Sequence, residues 1–261
     1  MTAARTATGL LRERFVTLAA LAALASLSWL YLWTEASRMA AMPATGMMDM
    51  PGSASPWNSD SLLLTFVMWA VMMVGMMLPS AAPAILLYGS IAKKNRADGS
   101  ILPATWVFAS GYLFVWTLFS VAATVLQAAF QETRLLTPAM ASASTWLSGV
   151  LLVAAGVYQW LPVKGACLEK CRSPLQLFLF HWRPGTAGAF RMGVEHGWFC
   201  VGCCWALMLL LFAAGVMNLL WVAVIAGFVL IEKVLPGGTL IGRLGGIGLA
   251  LTGAGVIIAG L

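Results

Sequence analysis

Seven stretches of the chain are apolar for long enough to be read as helices in a lipid bilayer: roughly residues 14–33, 61–90, 102–128, 142–162, 188–214, 216–235 and 243–261. About 20 helical residues cross about 30 Å of hydrocarbon. Between the runs the chain turns polar, most sharply at Lys93-Lys94-Asn95-Arg96. The pattern predicts an all-α, polytopic transmembrane bundle of about seven helices, the last and most glycine-rich run being the weakest signal.

Charge gives the bundle a direction. With the amino terminus on the cytoplasmic side, all of the 15 lysines and arginines except Arg38 and Arg134 fall on or near that side, the bias that positive-inside topology demands. The net charge of +6 therefore reflects topology and requires no nucleic-acid partner. Composition agrees: 61% of the residues are hydrophobic and only 9% charged, fewer charges than a soluble domain of this length carries. The first run follows Arg5, Arg12 and Arg14 but is longer than the apolar part of a signal peptide, so it is expected to remain as a helix. A bacterial inner membrane is the plainest location.

Polar interruptions set the organisation. Residues 34–60 carry Met39, Met42, Met47, Met48, Met50 and Asp49 among prolines and glycines, and are expected to form a flexible external loop. Thioether sulfur suits Cu(I), so this loop reads either as a copper collector or as a linker. It separates an amino-terminal part, residues 1–60, from a six-helix metal-binding membrane domain, residues 61–261. Gln127, near a helix end, is expected at the interface, and Tyr158-Gln159-Trp160-Leu161-Pro162 forms an aromatic stop. The segment 163–186, with Cys167, Cys171 and His181, is placed on the cytoplasmic side, Cys167 and Cys171 at the surface and the apolar middle, Leu175 to Phe180, too short to span, at the interface or folded back into the bundle.

The candidate chemistry lies inside the apolar runs. Residues 195–205 put Glu195, His196, Cys200, Cys203 and Cys204 within one membrane segment, where ionisable groups are costly unless they face a partner. At helical pitch, His196, Cys200, Cys203 and Cys204 fall within an arc of about 120°, with Met192 at its edge. His196 and Cys204 are separated by about 12 Å along the axis, so one helix cannot place all four donors on one ion; either two sites are stacked or one pair is completed from elsewhere. Completion is expected from Met72, Met73, Met76 and Met77 on the second run, where Pro79 and Pro83 break the hydrogen-bond ladder, from Glu232 on the sixth, and from Cys167 and Cys171. The bland alternatives are a methionine stripe that only packs, cysteines that are small core residues, Glu195 paired with Arg191, and Glu232 paired with Lys233 or Arg243. The spaced small residues Gly193, Gly197, Gly242, Gly246 and Ala250 are read as close helix contacts.

Several motifs taken together resemble a known family. Met72 to Pro83, Tyr158-Gln159, Cys167 to Pro174, Gly193 to His196, Gly202-Cys203-Cys204-Trp205, Met217-Asn218 and Glu232-Lys233, in this order, are similar to the bacterial predicted metal-binding integral membrane protein family, a domain of unknown function. The resemblance spans roughly residues 61–240. It implies metal binding in a multi-helix membrane protein and supplies no reaction.

The leading expectation is a membrane bundle holding a soft transition metal, foremost copper as Cu(I), through Cys200, Cys203, Cys204 and His196 with methionine partners; zinc and iron stay open. Glu195 and Glu232 would support the ligands or handle protons. Its partners would be the lipid bilayer, the metal ion and possible membrane-protein subunits. A membrane oxidoreductase, either a copper-dependent oxygenase component or a thiol–disulfide relay, and an accessory subunit of a larger complex are the competing readings. Phosphate-loop and His-Glu-x-x-His signatures are missing from the sequence, so no enzyme class is assigned.

Overall fold

The computed structural model describes residues 2–41, 58–95, 102–136, 142, 144–175, 178 and 182–260. Met42, Met47, Met48, Asp49, Met50, Arg96 and His181 lie outside the described residues. The described chain is all-α. Its helices are α1 (Thr2–Ala41), α2 (Ser59–Asn95), α3 (Leu102–Glu132), α4 (Thr145–Tyr158), α5 (Pro162–Arg172), α6 (Gly185–Ala214), α7 (Leu219–Val234) and α8 (Gly238–Ala259). Among the described residues there is no strand beyond an isolated bridge between Leu136 and Ser142.

Each of the seven apolar runs contains a helix, but the helices differ in length. α1, α2, α3, α6 and α8 are long and apolar enough to cross a membrane, and the pair α4 and α5, bent by 65°, makes a sixth if taken as one broken span. α7 has 16 residues. At 1.5 Å per residue it reaches only about 24 Å, because Asn218 caps its start and Leu235-Pro236-Gly237 ends it. α1, α3 and α8 turn rows of large apolar side chains outward, among them Phe15, Leu27, Trp33, Leu118, Val125, Leu244 and Leu251. Such continuous apolar surface suits contact with lipid.

Two boundaries differ from the sequence expectation. Thr34 to Ala41 continue α1 rather than opening a loop, since the segment is rich in alanine and Arg38 bridges Glu35 one turn back at 2.8 Å. Met39 is accordingly buried. The stretch after Pro162 is also helical and folds back on the bundle, which removes Cys171 from the surface position expected for it.

α2 and α6 form the middle of the bundle: 56% of the apolar window of each is buried, against 17% for α8. Around them, α1 packs on α2, α3 lies between α2 and α6, α5 covers α6, and α4 pairs with α8. Glycines set the closest crossings. A side-chain carbon on Gly193 would strike the Phe108 carbonyl of α3, and one on Gly111 would strike the Phe190 carbonyl of α6. Gly246 meets Gln159 and the Gly156 carbonyl in the same way. These are the backbone approaches that only small residues permit in membranes.

Pro79 and Pro83 leave α2 continuous. A proline removes the bond to the carbonyl four residues earlier, and the carbonyl freed by Pro79 is that of Gly75, which accepts the Trp29 indole N–H of α1 at 3.2 Å. The ladder is mended from a neighbouring helix, as it must be in lipid. Gln127 is fully buried rather than interfacial, and its Oε1 accepts the Trp69 indole N–H at 2.7 Å. Gln127→Leu should orphan that donor and cost about 1–3 kcal/mol, visible as a lower midpoint in chemical unfolding while helix content stays unchanged.

Candidate metal centre

The expected thiol face of α6 points into the core. Cys200, Cys203 and Cys204 are each 1% exposed, and Cys171 of α5 is buried beside them. Cys200 is the focus. Its sulfur lies 2.9 Å from Lys233 Nζ of α7 and 3.0 Å from the Tyr112 hydroxyl of α3. Cys171, Cys203 and Cys204 are near neighbours of it in the core. The thiols of Cys203 and Cys204 donate back to the Cys200 carbonyl, both at 3.0 Å. Four thiols from two helices therefore lie together in the packed core, and all five cysteines of the chain are free.

Of the α2 methionines, Met77 is the one whose sulfur meets a thiol, 3.9 Å from Cys204 Sγ. Its carbonyl accepts from the Tyr112 hydroxyl at 3.2 Å and from Ser80 Oγ at 2.9 Å. Met72, Met73 and Met76 are buried in the surrounding apolar core. His196, one turn before Cys200, packs its ring between Phe108 and Tyr112. Its Nδ1 is buried without a hydrogen-bond partner. A buried, unpaired ring nitrogen is an open donor position. Among the described residues no three Cys, His, Asp or Glu side chains are already arrayed to hold a metal ion.

The two glutamates are placed differently. Glu195 is partly exposed and bridges Arg183 at 3.1 Å and Arg191 at 3.7 Å, on the outer side of α6. Glu232 is buried and pairs with Lys164 of α5, whose Nζ also donates to Gln159. A side-chain carbon on Gly242 would run into that carboxylate, so the glycine makes room for the pair. Lys233 points the other way, to Cys200 and, at 3.2 Å, to Ser80 Oγ.

Sequence reasoning did not single out Tyr112, Lys164 or Ser80, and it treated Lys233 only as a counter-ion for Glu232. The available signal was a Glu-Lys step in the membrane run of residues 216–235, since adjacent ionisable residues there require separate buried partners. Cys167 is half-buried, with its sulfur against Gly202.

Five helices long and apolar enough to cross a bilayer mark a multi-pass type of membrane protein. The chain belongs to the PpoB2 copper chaperone family, which it matches over residues 66–256. α1 falls outside the matched region. No curated protein and no solved structure matches the chain.

Proposed function

We propose that this protein is a copper carrier of the bacterial inner membrane, holding Cu(I) as cargo on a pair of thiolates drawn from Cys200, Cys203, Cys204 and Cys171 with the Met77 thioether, for hand-over to a copper-requiring partner. The amino terminus lies in the cytoplasm, and α7 completes the spans together with the bent α4 and α5. The observation that carries this reading is the gathering of three buried thiols about Cys200, with the Met77 thioether against one of them, Cys204.

Soft sulfur ligands select Cu(I). Two S–metal bonds of about 2.3 Å across the 3.9 Å between Cys204 and Met77 would subtend an angle of about 115°, close to trigonal. Charge points the same way. Glu232 neutralises Lys164, which leaves the Lys233 ammonium beside Cys200 as the surplus buried charge. A monovalent ion on a pair of thiolates carries one negative charge, and Lys233 balances it. A divalent ion on the same pair would leave that ammonium uncompensated, at the cost an unpaired buried charge carries. His196 Nδ1 is the reserve donor, while Met72, Met73 and Met76 shape the apolar wall. Glu195, held by two arginines, acts on the outer side of α6.

X-ray absorption on the copper-loaded full chain tests the reading. The expected result is reduced copper in a shell of sulfur at about 2.3 Å. A shell dominated by oxygen, or a protein that retains zinc in preference to copper, would overturn it.

A further inference from the structure

The four clustered thiols are sealed from solvent, so copper needs a way to them. Cys167 is the one partly exposed thiol of the five, and it packs against the core that holds the other four. It lies one helical turn before Cys171 on α5, where side chains four residues apart are neighbours, and within electrostatic reach of Cys203. Its sulfur occupies a notch that Gly202 leaves in α6: a side-chain carbon there would approach Cys167 Sγ to 2.7 Å. Glu169 and Lys170 are exposed on the same helix and give this end of α5 a polar surface, with Lys170 held over the Phe199 ring at 4.5 Å. Sulfur thus runs stepwise from this surface, through Cys171 and Cys203, to Cys200.

We propose that Cys167 is the port through which Cu(I) passes between the buried thiols and an external thiolate carrier. This rests on the Cu(I) reading of the cluster. The step is a ligand exchange: a Cu–S bond to Cys167 forms as the Cu–S bond to the carrier breaks. Copper stays in the +1 state, and the proton lost by Cys167 goes to the departing carrier thiolate. A second exchange, with Cys171 or Cys203 as acceptor, moves the ion inward and returns a proton to Cys167.

The test uses the full chain in lipid nanodiscs, with Cu(I)–glutathione as donor, and measures bound copper both at equilibrium and against time. Cys167→Ser should reach the wild-type copper content but load more slowly by about tenfold or more. Gly202→Ala, which keeps the thiol but crowds it out of its notch, should also load slowly. Alkylation of wild-type Cys167 by a charged maleimide reports the same port without any substitution. A Cys167→Ser protein that loads at the wild-type rate overturns the port while leaving the Cu(I) reading intact. One that loses its copper at equilibrium also overturns it, because Cys167 would then be a ligand of the store itself. Wild-type protein that takes up no copper removes the Cu(I) reading and this inference together.

Discussion

Cys200→Ser is expected to weaken copper binding by more than about 100-fold, beyond the 10–100-fold that loss of a supporting residue around a metal typically costs. Cys200 is the sulfur on which the site closes: the Lys233 ammonium and the Tyr112 hydroxyl both reach it, and the other three buried thiols surround it. Serine keeps the hydrogen bonds but offers a hard oxygen where a soft ligand is needed. Competition against a Cu(I) chelator reads the change directly. Unfolding midpoints of the two proteins should stay close, since a hydroxyl can take over both contacts. Wild-type affinity in the variant would show that copper is held elsewhere.

Glu232→Leu is expected to destabilise the fold by about 3–5 kcal/mol, because it leaves Lys164 charged and unpaired in the interior. Both side chains are 2% exposed, so solvent cannot screen the loss. The pair joins α5 to α7, and α5 carries Cys171 into the thiol cluster. Damage should therefore spread from stability to copper retention. Combining Glu232→Leu with Lys164→Met removes both charges and should restore most of the unfolding free energy, as replacing a whole buried pair often does. A single variant as stable as wild type would mean that apolar packing alone fixes α5.

The apolar runs made the helices legible because membrane burial writes itself into composition, one residue after another. The face shared by Cys200, Cys203 and Cys204 was legible for a similar reason: helical periodicity is local, and the structure turns those residues into the core. The small-residue steps at Gly193 and Gly246 likewise predicted close contacts, which the backbone of α3 and of α4 supplies. What the sequence withheld is non-local. Pro162 signalled the end of α4, but nothing nearby tells α5 to turn back and bury Cys171 and Lys164. The Trp69–Gln127 bond joins residues 58 positions apart, so Gln127 looked like an interfacial residue until its partner was in view. Glu232 paired neither with Lys233 nor with Arg243. Its counter-charge comes from a segment whose position depends on the bent α4–α5 joint.

The bond from Trp29 to the Gly75 carbonyl gives the first helix a duty that family matching does not reveal. In water the oxygen released by Pro79 would be hydrated; in hydrocarbon a bare carbonyl costs several kcal/mol. Here an indole stands in for the absent solvent. A protein shortened to the matched region would lose that stand-in just one turn from Met77 and Pro79. The amino-terminal helix thus stands in for solvent beside the segment that brings thioether sulfur to Cys204, a support that lies outside the shared sequence.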